Sequence, residues 1–367
     1  MRTLPLFSSL KVVELAGVLA GPAVGMFLAE LGARVIKIEN PKTGGDMTRH
    51  WRLPCEDPSY PESAYYCSVN WGKEVLFLDI NEPKDRQRLD ELLKDADIVI
   101  SNFKPESARR MQLDGAAILK NNPGAIVAEL SGFGADDGRP AFDVVLQAEA
   151  GFMYMNGEPG GVPVKMPVAL IDVLAAHQMK EAMLIALLER QMTGNGAVVR
   201  VSLLEAALSA LANQATNWLM AGHIPQPMGS AHPNIAPYGD VFYGKDGKAL
   251  VLAIGTEGHF EKLCQILELK ELLSDSRFAT NVQRVAHREG LIAILAAAIA
   301  QYDRADLLEK LLANGIPAGS IRNMQEVFEM PTAQAMVLEE KTADGRITRR
   351  MRTLGFELVK PKSGEAQ

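Results

Sequence analysis

The chain has 367 residues, 47% hydrophobic and 23% charged, the composition of an ordinary globular protein long enough for two domains. A net charge of −7 argues against nucleic acid as the main partner, and no apolar run is long enough to span a membrane. The three cysteines (Cys55, Cys67 and Cys264) are widely spaced and the six histidines contain no HxH or HxxxH pair, so no metal site is expected and a reducing cytoplasm fits best.

The opening "MRTLPLFSSLKVVEL" lacks a long apolar core ahead of a small-residue cleavage site, so no export signal is expected. "KVVEL" (Lys11 to Leu15) reads as a short buried strand, and "PAVGMFLAELG" (Pro22 to Gly32) as a helix with proline at its start and glycine at its end. "ARVIKIE" is the next strand, and "VLFLDI", "RQRLDELLKDAD" and "IVISN" repeat the unit. A helix near Ser107 to Leu119 and the strand "AIVAEL" follow. This alternation is the signature of parallel βαβ units.

From Asp172 to about Ala221 the pattern is mostly helical, broken by the turn "TGNG" and a short strand "AVVRVS". "HIPQPMGSAHPNIAPYG" reads as an ordered linker, and "DVFYGKDGKALVLAIG" as a hairpin opening a second, smaller α+β domain with several helices to about Asn314. The expected division is a large α/β domain at 1–200, a linker helix and loop at 201–226, a small domain at 227–320, and a return to the large domain at 321–367. The final "KPKSGEAQ" reads as a frayed polar tail, and the charged runs "EPKDRQRLDELLKDAD" and "RITRRMR" as solvated faces.

Two features bear on chemistry. The loop after the first strand, "AGVLAGP", sits where a dinucleotide fingerprint would lie, yet it lacks G-x-G-x-x-G, and Pro22 removes an N–H that would hold phosphate. No P-loop occurs either. The second feature is Asp172, a carboxylate at the entrance to a long apolar helix. Its position by itself favours a helix cap, which satisfies orphan N–H groups, over the other reading, a nucleophile at the edge of an apolar pocket.

The blocks "AGPAVGMFLAELGARVIKIENPKTGGDMTR", "NWGKEVLFLDI", "ADIVISNFKP", "LSGFGADDGRPAFDVVLQAEAGF", "TGNGAVVRVSLLEAAL" and "HPNIAPYGDVFYGKDGKALVLAIG" together resemble the family III CoA-transferases, across nearly the whole chain and in order. The resemblance implies a Rossmann-like parallel-sheet large domain, a smaller α+β domain, and two subunits threaded through each other as an interlocked homodimer. The segments Leu203 to Tyr238 and Gly315 to Thr342 would then be the long connections around the partner. It also implies a transferase that moves CoA from an acyl-CoA to a free carboxylic acid, with coenzyme A as substrate and product and no permanently bound cofactor.

The family's catalytic aspartate lies in a P-V-A-x-x-D stretch upstream of R-x-x-T-G-x-G. Here that stretch is "PVALIDVLAAH", which makes Asp172 the expected nucleophile. The matching CoA positions are Val18, Leu19, Ala20, Lys37, Lys73, Asn102, Phe103 and Arg110, the cations being suited to phosphates. Asp143 and Gln147 in "AFDVVLQA" match a block near the pantetheine, and Asp143 is equally suited to structural hydrogen bonding.

Members of the family acting on oxalate often carry Gln at the position of Leu19 and Arg at that of Asn40. Leu19 therefore implies an acyl group less polar than oxalate, and Asn40 lacks an expected CoA cation. Those enzymes also close a glycine run over the aspartate, and no such run follows Met228; "GEPGG" (Gly157 to Gly161) reads rather as a surface turn. An α-methylacyl-CoA racemase is the first alternative, but it needs two opposed acid–base groups. Phe142 stands where the racemases have histidine, and His177 is five residues from Asp172, on a different helix face. A non-catalytic CoA-binding subunit is the second alternative, against which the aspartate itself argues.

Overall fold

The structure, a computed structural model, describes residues 7–342 and 345–359. The polar tail "KPKSGEAQ" and the first six residues lie outside the described residues. The described residues divide into two compact units, one of 7–152, 165–223, 335–342 and 345–359, the other of 153–164 and 224–334.

The first unit is built on strands β1 (Lys11–Glu14), β2 (Arg34–Glu39), β3 (Lys73–Phe77), β4 (Ile98–Ser101), β5 (Ile126–Ser131) and β6 (Ala197–Ser202). They form one sheet in the order 3-2-1-4-5-6, every neighbouring pair parallel. This is the doubly wound order, in which the strand sequence reverses between β1 and β4 and opens a crevice beyond their C-terminal ends. The βαβ reading of the sequence is thus realised as a sheet covered on both faces.

Helix α1 (Ala20–Glu30) has every residue buried, consistent with its near-continuous apolar sequence. Its glycines permit close approach. A Cβ on Gly21 would lie 2.4 Å from Ala16 Cβ, and one on Gly25 would lie 1.8 Å from Glu14 Oε2. The crossovers continue with α2 (Pro83–Lys94), and the helix expected over Ser107 to Leu119 is in fact two, α3 (Pro105–Met111) and α4 (Gly115–Asn121). The break is made by Gln112, which takes a left-handed backbone (φ 54°) and ends α3. Then come α5 (Asp143–Glu149), α6 (Leu170–Thr193), α7 (Leu203–Ser209) and α8 (Ala212–Ala221). The stretch Leu203 to Tyr238, expected as a connection, is therefore helical for half its length, and α7 and α8 belong to the first unit.

The second unit carries an antiparallel sheet of β7 (Tyr238–Tyr243), β8 (Ala249–Ala253) and β9 (Ala318–Ser320), with the expected hairpin turn between the first two. Helices α9 (Glu257–Ile266), α10 (Arg288–Ile299) and α11 (Arg304–Ala313) bury Phe260, Leu263, Leu295, Leu307 and Leu311 around it. The unit extends to Gln334, so the boundary expected at 320 lies later in the chain, and it claims 153–164 from the span assigned to the large domain. The inclusion of 153–164 rests on contacts that sequence separation hides: Gly229 N–H, for example, bonds to the carbonyl of Gly157 (2.8 Å).

The chain re-enters the first unit with the hairpin β10 (Val337–Lys341) and β11 (Ile347–Met351). Glu30 at the end of α1 accepts the backbone N–H of Thr353 (2.6 Å), and Leu354 packs into the core. None of the helices among the described residues is long and apolar enough to cross a membrane.

Candidate active site

Helix α6 starts without a side-chain cap of its own: its N-cap is Ala169, and Asp172 is the third helical residue. The capping expected of Asp172 is supplied from another element. Asp143 Oδ1 accepts the N–H of Ile171 (2.7 Å) and of Asp172 (3.4 Å). Gln147, one turn on in α5, donates to Asp143 Oδ2 (2.5 Å) and accepts the N–H of Met166 (2.8 Å). The pair thereby fixes the whole approach to α6 and leaves the Asp172 carboxylate to the cavity it lines.

That cavity lies at the switch point. Gly17, Val18, Leu19 and Ala20 from the β1–α1 loop face it together with Asp172 and Leu203. Asp172 is only 8% exposed, and burial, followed by the nearby charge of Asp143, pushes its carboxyl up to about 7. Desolvation and a like charge outweigh the favourable helix N-terminus here, so the charged form is disfavoured. Tyr65 stands close enough that Asp172, Asp143 and Asp46 add to the burial that raises its phenol. Its ring packs edge-on to Trp51 (centroids 5.0 Å apart), and Trp51 continues to Phe142 (6.4 Å).

A second cavity shares Gly17 and Phe103 with the first and extends past Asn40, Asn81, Ile80 and Arg110. Arg110 is exposed at its rim. Asn102 lines the first cavity, but its amide is committed to the loop: Oδ1 accepts the N–H of Gly17 (3.2 Å) and Nδ2 donates to its carbonyl (2.9 Å). Asn40 likewise accepts the N–H of Lys42 as the cap of a short 3-10 turn.

Lys37 and Lys73 are corrections. Both were expected to meet phosphates, yet their side chains are 1% and 0% exposed and their ammonium groups are spent inside the unit. Lys37 donates to Glu14 (2.9 Å) and to the carbonyl of Ala16 (2.7 Å); Lys73 donates to Glu14, to the carbonyl of Pro22 (2.8 Å) and to Asn70 (2.9 Å). The two expected cations act as buried ties beneath α1. The cations at the mouth of the first cavity are instead Lys104 and Arg139, both exposed, the latter stacked 3.7 Å from the Phe133 ring centroid. Arg139 lies in "GADDGRPAF", where no local pattern marks it as facing a cavity.

The first unit is thus a doubly wound, Rossmann-like α/β unit with a desolvated carboxylate at its switch point. The chain belongs to CoA-transferase family III, whose family model matches residues 7–362. It is 37% identical to the succinate–glutarate CoA-transferase of Agrobacterium fabrum, over 99% of this chain and 94% of that one. It is 34% identical to the acetyl-CoA:oxalate CoA-transferase of Acetobacter aceti, over 90% of this chain and 84% of that one. A crystal structure of a CaiB/BaiF family protein from Brucella suis superposes with a TM-score of 0.85 at 37% identity, covering 97% of this chain and 93% of that one.

Proposed function

We propose that Asp172 carries CoA between two carboxylic acids as a covalent intermediate. The carboxylate attacks the thioester carbonyl of the donor, the C–S bond breaks, and CoA leaves as thiolate from a mixed anhydride. The thiolate then attacks the aspartyl carbonyl, releasing the donor acid as carboxylate and leaving an aspartyl–CoA thioester. The acceptor carboxylate repeats the sequence in reverse and regenerates Asp172. Every step exchanges one activated acyl bond for another, so no external energy source enters.

The observation that carries this reading is the Asp172 carboxyl: buried, raised to about 7, relieved of capping by Asp143, and facing the cavity formed with the β1–α1 loop. The first-turn N–H groups of α1 open beside that loop, where backbone donors would stabilise a tetrahedral oxyanion, and the low exposure of Asp172 suits exclusion of water from an anhydride. Pantetheine would occupy the first cavity, with Val18, Leu19, Ala20 and Phe103 along it; the second cavity suits the nucleotide, with Arg110 on its phosphates. Succinyl-CoA and glutarate, a pair named for similar enzymes, are the first substrates to try.

Hydroxylamine trapping tests the reading. Incubation with succinyl-CoA should leave a hydroxamate on the Asp172 peptide by mass spectrometry. Its absence, with exchange of the α-proton into deuterated water, would favour racemisation instead. The residues speak against that alternative: Phe142 carries no exchangeable proton, and His177 is on the exposed side of α6.

Arg110→Ala should raise KM for the acyl-CoA about tenfold, the worth of one charge-assisted phosphate contact, with kcat unchanged. The difference should shrink at high salt. An unaltered KM at low salt would remove Arg110 from the binding site.

The homodimer is supported by exposed apolar side chains on two helices of the first unit: Ile185, Leu188 and Met192 on α6, and Trp218, Leu219 and Met220 on α8. Sedimentation should give twice the 39.9 kDa chain mass. A monomer at micromolar concentration would refute it.

A further inference from the structure

Val18 is a β-branched residue held at φ 72°, a left-handed conformation that such side chains rarely adopt. Backbone strain of this kind persists only where the surroundings over-determine it. The surroundings here are a buried carboxylate. Asp46, 7% exposed, accepts the N–H of Val18 on both oxygens (3.3 and 3.2 Å) and the N–H and hydroxyl of Thr48 (3.1 and 2.9 Å). Lys37 Nζ lies 3.1 Å from its second oxygen.

Behind Lys37 stands Glu14, and behind Glu14 stands Lys73, which reaches the carbonyl of Pro22 in the first turn of α1. The same network therefore grips the loop at three backbone points: Ala16 C=O by Lys37, Val18 N–H by Asp46 and Pro22 C=O by Lys73. Asn102 holds Gly17 from the other side. Burial alone would raise the Asp46 carboxyl, but Lys37 and Thr48 more than offset it, and the group titrates below its usual range.

We infer that Asp46, braced by Lys37, is a positioning residue for the chemistry at Asp172: it holds Val18 in the left-handed conformation and so keeps the Gly17–Ala20 wall in register with the carboxylate across the cavity. Asp46 lines the second cavity, but its side chain is 1% exposed and its oxygens are turned to Val18, Thr48 and Lys37, so it acts on the chemistry through the loop. The inference rests on the reading of Asp172 as the reacting group, and it adds a loop whose geometry is enforced from within the core rather than by its own sequence.

The test is a set of variants assayed with succinyl-CoA and glutarate. Asp46→Ala should lower kcat about 100-fold, the cost of a small misplacement near reacting atoms, while KM for the acyl-CoA moves less than about threefold. Asp46→Asn, which keeps an oxygen for the Val18 N–H, should fall between the two and remain folded if the alanine variant does not. Val18→Gly placed on Asp46→Ala should recover at least about tenfold, because glycine takes the left-handed conformation without a clamp. An Asp46→Ala enzyme within threefold of wild type, or no recovery from the glycine, overturns the inference. If the wild-type protein itself turns over neither substrate, the proposed function fails separately, and a crystal structure of the Asp46→Asn and Asp46→Ala chains decides the positioning role: Val18 leaving the left-handed region in Asp46→Ala supports it, and Val18 staying near φ 72° overturns it.

Discussion

Asp172→Asn should abolish CoA transfer and the hydroxylamine-trapped adduct together, a loss of at least about 10⁴ in kcat, because an amide cannot form the anhydride. The same substitution should stabilise the protein above neutral pH. The wild-type carboxyl, raised from 3.8 to about 7 by burial and then by Asp143, is disfavoured in its charged form in the folded state. For an acid whose folded value is raised, the penalty is absent below the unfolded value, grows as pH rises from there, and is complete above the folded one. Its full size is on the order of 4 kcal/mol. The stability advantage of Asp172→Asn should therefore widen from pH 5 to pH 7 and then level off, as thermal unfolding at stepped pH will read. In the active enzyme the same titration gives kcat/KM an acidic limb near pH 7, rising as the carboxylate forms. An advantage that narrows with rising pH would mean that Asp172 is stabilised in its ionised form after all.

The largest stability loss is expected from Glu14→Ala. Glu14 is fully buried in the central strand β1 and is shared by two buried ammonium groups. Lys37 would keep Asp46, but Lys73 would keep only the neutral oxygens of Pro22 and Asn70. Removing one partner of a buried pair costs about 3–5 kcal/mol, because the remaining charge has no water to return to. Lys73 is already pushed down to about 8 by burial, with Glu14 opposing that shift. Without Glu14 it falls further. A base with a depressed folded value carries its full penalty below that value and loses it as pH rises towards the unfolded one. The deficit of Glu14→Ala in urea unfolding should thus be largest near pH 6 and shrink towards pH 8. A loss below about 1 kcal/mol, independent of pH, would show that water reaches Lys73.

The two predictions separate what was legible in the sequence from what was not. The alternation of short apolar strands with helices specified the parallel sheet, because strand and helix periodicities are local. The resemblance carried by several ordered blocks pointed to family III and to Asp172. The role of Lys37 and Lys73 was not legible. A lysine in a strand reads as an exposed cation, and only the register of β2 against β1 and of β3 against β2 brings both to a carboxylate under α1. Glu14, a charge inside "KVVEL", a strand that reads as buried, is a local sign of such a network.

Asp172 raised the question of cap or nucleophile, and no local pattern could answer it. The capping half of that question depends on Asp143, 29 residues earlier, whose carboxylate accepts the first-turn N–H groups of α6. The role of Asp46 is hidden from the sequence for the same reason, since its partner Val18 is 28 residues away, with β2 between them in the chain. What the sequence determined by itself is the order of elements, through side-chain periodicity and turn chemistry between near neighbours. What the tertiary structure alone decided is which charges are buried, which are paired, and which one is left unpaired at the cavity, because desolvation and Coulomb energy depend on distances that the chain sets only once it is folded.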